Sequence, residues 1–247
     1  MWPLVWPRLR NDMINESVMM LIGGLGTRLR SLYPDRPKAL VPVGGKPFIA
    51  WLLEWLRDQQ VCHVHLAAGY RADQVTAWAA GFQLPGLELT VSIEPAPLGT
   101  AGGIKFAQSF IAGDQPFFVM NGDSLLPNTR LANLLSARQA HPSWDVIIAA
   151  VEMTERGQYG TVDINSTDHV TAFREKADNA GGWVNGGIYL IQPGVMAGVE
   201  PGVNISMEKE MFPVLASSGK LGCIRVPGPL LDMGTPAGLQ AMEQHLR

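Results

Sequence analysis

The chain has 247 residues, 47% of them hydrophobic and 17% charged, which excludes a disordered or fibrous protein and gives enough length for one well-packed core. Lys and Arg number 19 against 22 Asp and Glu, for a formal charge of −3, so no cationic excess exists to hold nucleic acid. Cys62 and Cys223 lack metal-ligand spacing and no apolar run reaches the length of a membrane span, so both read as small hydrophobes and a cytoplasmic location, without membrane, is expected.

Residues 1–17 carry two prolines and two tryptophans without a clear period. They read as a poorly ordered or atypical leader, with Met13 a candidate start and 18–247 a single domain. The apolar run Val18–Ile22 predicts a buried strand, and Gly23-Gly24-Leu25-Gly26-Thr27-Arg28 follows it. Glycines there let the backbone turn sharply and bring N–H groups to an anion. Arg28 adds a planar fork of donors and Lys38 a point charge. Two cations beside a glycine loop suggest a polyphosphate, although such a loop alone also fits a plain turn.

From Pro47 to Val61, Phe48, Leu52, Trp55 and Leu56 recur at helical spacing. Residues 61–69 read as the second strand, with His63 and His65 sharing one face, and both are expected to face solvent because no third metal ligand lies nearby. A helix over 72–80, a strand over 87–93, a glycine-rich turn over 97–103 leading to a helix over 104–110, and a strand over 117–120 complete the first half. Strands alternating with helices imply a parallel sheet covered on both faces. Ligands of such sheets bind at the carboxyl ends of the strands. The glycine loop, Gly69-Tyr70, Glu94-Pro95 and Asn121-Gly122-Asp123 all fall there.

The second half is read as a strand over 146–151, an antiparallel pair over 161–164 and 170–174, and a strand over 183–190 containing Gly186-Gly187. A helix capped by Ser206 and ending near Gly219 comes next, then a strand near 222–226, the segment LDMGTP, and a closing helix. Asp123 ends a buried strand and is a hard oxygen donor of the kind Mg²⁺ takes alongside substrate phosphates, or else a cap or turn residue.

Taken together, GGLGTRLRSLYPDRPKALVPVGGKPFI, EPAPLGTAGG, FREK and LDMGTP resemble, in order and along nearly the whole chain, the signature of the sugar-phosphate nucleotidyltransferases. Ala177 and Ile22 depart from that pattern, at places where proline and alanine are common. The resemblance implies an α/β fold, a Rossmann-like mixed, mainly parallel sheet flanked by helices. It also implies nucleotidyl transfer from an NTP to a sugar 1-phosphate with Mg²⁺.

Carried over residue by residue, the family pattern makes Arg28, Lys38, Asp123 and Lys176 catalytic, with Asp123 and Asp232 on the metal. Leu21, Gly23, Gly24, Gly26, Thr27, Glu94, Gly99, Thr100 and Gly122 then hold the nucleotide. Glu175, Lys176, Asn185 and Gly187 hold the sugar phosphate. The motifs look most like the D-glycero-α-D-manno-heptose 1-phosphate guanylyltransferase branch, which favours GTP; a small-residue slot at Gly99, Ala101, Gly102 and Gly103 is expected to admit a purine. UTP or dTTP with an amino-sugar or hexose 1-phosphate is the alternative, and a silent nucleotide-sugar sensor the alternative from another class. Self-association is left open.

Overall fold

A computed structural model describes residues 13–29, 32–111, 113–155, 159–175 and 181–246, with the backbone alone at Glu175. The chain opens with β1 (Val18–Ile22), the short pair β2 (Pro42–Val43) and β3 (Lys46–Pro47), and helix α1 (Phe48–Asp58). It continues with β4 (His63–Ala68), α2 (Ala72–Gly81), β5 (Glu88–Ile93), α3 (Gly99–Ala107), β6 (Phe117–Asn121), β7 (Ser124–Leu125) and α4 (Leu131–Ala140). The second half holds β8 (Val146–Met153), β9 (Gly160–Ile164), β10 (Val170–Glu175), β11 (Gly182–Ile191), α5 (Phe212–Ser217), β12 (Leu221–Val226), β13 (Leu231–Asp232) and α6 (Pro236–His245).

Among the described residues the main sheet has nine strands, running β10-β9-β11-β6-β1-β4-β5, with β8 pairing β11 and β12 pairing β8. β1 lies between β4 and β6, parallel to both, and β5 extends the parallel set. β11 is antiparallel to β6 and to β8 and closes the parallel part of the sheet. The sheet is therefore mixed and mainly parallel. The chain leaves β1 for β4 on one side and later returns from β5 to β6 on the other, so the strand order reverses at β1. That reversal opens a crevice at its carboxyl end.

Two apolar layers sandwich the sheet. One is built on α1, α2, α4 and α6, with Leu52, Trp55 and Met242 fully buried. The other is built on α3 and α5, around Met19, Ile104 and Phe212. Alternate residues of each strand enter opposite layers, which is why Met19 and Met20 of β1 fall in different ones.

Three expectations need correction. First, the segment taken for a turn at 97–103 is already helical from Gly99, and the helix does not wait for Ile104. Glycines start this helix because another chain segment lies against them. The Ala101 and Gly102 amides both donate to the Ile205 carbonyl, and a Cβ on Gly99 would fall 2.8 Å from Asn204 Oδ1. With a φ of +69°, Gly99 also has a backbone that other residues adopt only with strain.

Second, His63 and His65 do share a face, but only His63 reaches solvent; His65 is 1% exposed. Third, packing begins before β1. Ile14, inside the segment read as leader, is 3% exposed, and its amide donates to the Gln60 carbonyl. Residues 1–12 lie outside the described residues.

The antiparallel β9–β10 pair forms as expected. Ser206 caps its helix by accepting from the Lys209 amide, although the first turn is a π-turn over Met207–Met211. Cys223 is buried, with its thiol pushed up to about 12 by that burial, Cys62 is half-buried, and both are free.

Candidate functional site

A cavity of about 670 Å³ opens at the carboxyl ends of β1, β4, β5 and β6. Leu21, Gly23, Gly24 and Gly26 line its rim from the glycine loop, with Glu94, Gly99 and Thr100 opposite and Lys38, Gly122 and Asp123 at one end. Residues brought together from five separate stretches of chain thus face one space. Thr27, Arg28, Asn185, Gly187 and Asp232 are not in its wall.

The charged end is built around Lys38. Its ammonium donates to Asp123 Oδ2 at 2.6 Å and lies 3.8 Å from Asp232 Oδ1. Asp123 follows β6 directly, and Asp232 reaches it because β13 pairs with β7, setting Asp232 opposite Ser124. The Met233 amide donates to the Asp123 carbonyl and fixes the register. Burial, and next the charge of Asp123, push the Asp232 carboxyl up from its ordinary value. Lys38, the Gly234 amide and Arg28 act in the other direction, so Arg28 contributes its field here from outside the cavity wall.

Two carboxylates converging on one ammonium form a hard oxygen donor set suited to a divalent cation. Among the described residues no group of three or more His, Cys, Asp and Glu side chains is arranged to hold a metal ion by itself. A cation held by Asp123 and Asp232 therefore has coordination positions left for substrate phosphate oxygens, the usual arrangement for Mg²⁺. The residues fit such an ion. Lys46, by contrast, is turned away to Glu54 and the Trp51 ring.

The other end is a slot between α3 and the β4–β5 pair, lined by Ala67, Ser92, Glu94, Gly103 and Phe106. Glu94 is held by the Leu98 amide, which donates to Oε2 at 3.3 Å. Gly23 makes room for it, since a Cβ there would lie 2.8 Å from Glu94 Oε1. Burial pushes the Glu94 carboxyl up, and the bond from Leu98 only partly offsets this.

Of the four small residues expected to make a purine slot, Gly99 and Gly103 line the cavity, whereas Ala101 and Gly102 do not and Gly102 packs against Val203. Ile22 abuts Gly122, belongs to the layer on the α1 side and also lines the cavity. The Thr100 hydroxyl is already engaged: it donates to Glu208 Oε2 and accepts from the Met207 amide.

On the remaining side, Gly187 has a φ of +75°, and a Cβ there would lie 2.8 Å from Asn121 Nδ2. The backbone of β11 comes close to a cavity-lining amide at this point. Asn185 donates to the Tyr189 hydroxyl and accepts from the Gly187 amide, so it shapes this bend. Lys176 lies outside the described residues, and the Glu175 backbone is paired with Gly160.

Three polar residues of the cavity wall escaped sequence reasoning: Ser92, Asn204 and Glu208. Asn121, placed with Gly122 and Asp123 at the carboxyl end of its strand, lines the cavity. Glu208 read only as a first-turn acid favouring its own helix N-terminus.

A family model described as nucleotidyl transferase matches residues 17–245. The chain belongs to the nucleotidyl transferase family. Among curated members, the probable mannose-1-phosphate guanylyltransferase 1 of Oryza sativa subsp. japonica is 36% identical over 224 residues, which make up 88% of this chain and 61% of that protein. The mannose-1-phosphate guanyltransferase of Schizosaccharomyces pombe is 34% identical with the same coverage. The chain thus spans about 61% of the length of these nucleotidyl transferases. Among solved structures, HddC from Yersinia pseudotuberculosis complexed with GMP-PN superposes with a TM-score of 0.81 at 29% identity, covering 94% of this chain and 100% of that one. No helix among the described residues is long and apolar enough to cross a membrane.

Proposed function

We propose that the chain is a guanylyltransferase: it transfers GMP from GTP to the phosphate of a manno-configured sugar 1-phosphate, mannose or a manno-heptose, releasing pyrophosphate. The observation that carries this is the ion-paired set Lys38, Asp123 and Asp232 at one end of a cavity whose other end holds a half-buried carboxylate, Glu94. The first suits phosphoryl chemistry and the second suits guanine. Among the common bases, guanine presents two adjacent N–H donors on one edge, which a carboxylate accepts together. Uracil and thymine present one N–H flanked by two carbonyl oxygens that a carboxylate repels. The names of the relatives and the GMP-PN complex of HddC support the same base.

In the reaction an oxygen of the sugar phosphate attacks the α-phosphorus in line. A new P–O bond forms as the α–β bridge breaks, and both electrons leave with pyrophosphate. No protein nucleophile is needed, so the protein contributes position and charge. Lys38 steadies the α-phosphate, Arg28 grips the departing pyrophosphate, and the glycine loop offers amides to the triphosphate. Asp123 and Asp232 would hold Mg²⁺, which neutralises phosphate charge and aligns the two phosphates when bound. Glu175, Lys176, Asn185 and the Gly187 backbone receive the sugar phosphate.

The test is pyrophosphate release measured for GTP, UTP, dTTP and CTP against mannose 1-phosphate, manno-heptose 1-phosphate and N-acetylated amino-sugar 1-phosphates. The expected result is the highest kcat/KM for GTP with a manno acceptor. If UTP or dTTP exceeds GTP with every acceptor, the base assignment is wrong; if no pair releases pyrophosphate, the chain is a sensor and no transferase.

A further inference from the structure

The base slot has a polar floor. Thr90 and Ser92 of β5, and Glu94 just past its end, alternate onto the face of the sheet covered by α3, and β4 sets His65 opposite Thr90 in register. Ser92 is 4% exposed yet lines the nucleotide cavity, two residues deeper along the strand than Glu94. Its hydroxyl is 2.8 Å from His65 Nε2, while His65 Nδ1 is 2.8 Å from Thr90 Oγ1. The Phe110 ring stacks on the imidazole at 5.1 Å and covers it. Thr90 faces a second cavity of about 410 Å³ at the amino ends of the strands and does not line the first. Three hydrogen-bonding side chains thus run through the wall between two cavities.

A neutral imidazole has one donor nitrogen and one acceptor nitrogen. Burial lowers the His65 pKa to about 4, so near neutral pH the ring is a single tautomer choice and no cation. The two hydroxyls must then play opposite roles. With the proton on Nδ1, Ser92 gives its O–H to the ring and shows the slot only lone pairs, next to the Glu94 carboxylate. With the proton on Nε2, the Ser92 oxygen accepts from the ring and its own O–H points into the slot. Thr90 then donates to Nδ1, and its lone pairs face a cavity where water can donate to them. Both arrangements can satisfy their groups, because water in the second cavity can donate to Thr90 or accept from it, but only the second offers the base an acceptor, Glu94, beside a donor, Ser92. Guanine matches that pair, with N–H donors at N1 and N2 and an acceptor at O6 on the same edge.

We propose that His65, held as the Nε2–H tautomer by Thr90, fixes the Ser92 hydroxyl as a hydrogen-bond donor to the 6-oxo group of the purine. Ser92 touches the base, and His65 and Thr90 are positioning residues. The proposal rests on the guanine assignment made above and adds to it how O6 is recognised.

The probe is 6-thioguanosine triphosphate, which keeps N1–H and the 2-amino group but replaces O6 with sulfur, a weak acceptor. kcat/KM for GTP and for this analogue is measured in the wild type, Ser92→Ala and Thr90→Val, each checked for an unchanged melting curve. The wild type is expected to prefer GTP by about fivefold or more, the worth of one hydrogen bond. Both variants are expected to bring the ratio within about twofold by losing activity on GTP alone. Thr90→Val decides the matter, since a merely structural role would change both nucleotides equally. A ratio that stays at the wild-type value in either variant, or a wild type indifferent to the analogue, overturns the proposal while leaving GTP as substrate. A wild type that uses UTP or dTTP in place of GTP overturns the guanine assignment, and this proposal with it.

Discussion

Replacing Lys38 with methionine keeps an unbranched side chain one atom shorter and removes the ammonium, its charge and its donors together. The ammonium lies 2.6 Å from Asp123 and 3.8 Å from Asp232, with the Lys38 and Asp232 side chains each 15% exposed and that of Asp123 42% exposed. At the Asp232 distance a unit charge pair in an effective dielectric of about 20 interacts by about 4 kcal/mol. The Asp123 pair, open to water, is nearer the surface value of about 1 kcal/mol. Two carboxylates left without their shared cation should lower stability by about 2 kcal/mol once water and side chains relax, a fall in Tm of roughly 4–8 °C for a chain of this size. If the same charge meets the α-phosphate in the transition state, kcat/KM should fall by about 10²–10³.

Asp232→Asn separates the two effects. It keeps the oxygen that accepts from the Gly234 amide and removes a negative charge that Asp123 and burial already disfavour. Its Tm should stay level or rise, while turnover falls tenfold to a hundredfold or more with the metal ligand, figures that are about what such ligands are worth. The assays are scanning calorimetry with and without Mg²⁺, and coupled pyrophosphate release. Mg²⁺ should raise the Tm of the wild type and not that of Asp232→Asn. A Lys38→Met protein with unchanged Tm and nearly normal kcat/KM would refute the argument, as would an Asp232→Asn protein destabilised as much as Lys38→Met.

Glu94→Gln keeps one acceptor but turns the other group into a donor facing guanine's own donors; kcat/KM for GTP should fall by about tenfold to a hundredfold with little change for ITP, which lacks the 2-amino group. Equal losses on both nucleotides would place Glu94 outside base recognition. His65 takes up a proton below about pH 6.5 in an unfolded chain but only below about 4 when folded. Between those values unfolding binds a proton, so stability present above pH 6.5 is lost as pH falls, by about 3 kcal/mol in all. Comparing Tm between pH 7 and 4.5, where most of that is lost, the wild type should drop roughly 5–10 °C further than His65→Gln, and parallel curves would show that His65 does not titrate this way. Gly222→Ala would put a Cβ into the Trp144 ring, which is 1% exposed; it should cost about 1–3 kcal/mol in denaturant melts, and a neutral substitution would mean that this core can yield.

Much of the fold was legible because its signals are local. Strand and helix periods come from residues a few positions apart, so β1, α1, β6 and β12 follow from apolar spacing, and the turn residues at 165–168 mark the β9–β10 hairpin. The glycine loop after a buried strand announced a sharp turn, which lies at the rim of the cavity, for the same reason, since its conformational freedom is carried by the loop itself. The resemblance added Asp232, which composition and spacing would have left as a turn residue.

Other features were decided only when distant segments met. The convergence of Lys38, Asp123 and Asp232 needs the β7–β13 pairing across more than 100 residues, and no periodicity encodes such a pairing. The early start of α3 depends on carbonyls of residues 203 and 205 docking against Gly99, Ala101 and Gly102; from sequence, four small residues looked like an open slot. His65 alternates with apolar neighbours as an exposed histidine would, and its burial is set by Phe110, from the 3-10 turn that follows α3, and by hydroxyls on β5. Thr100 and Glu208, acid and hydroxyl on separate helices, satisfy each other at the edge of the cavity. Amino-acid order sets what each short stretch prefers, because backbone sterics and side-chain alternation act over a few residues. Which polar group is buried, and against which partner, is settled by packing, because desolvation and hydrogen bonding depend on whichever atoms arrive from elsewhere in the chain.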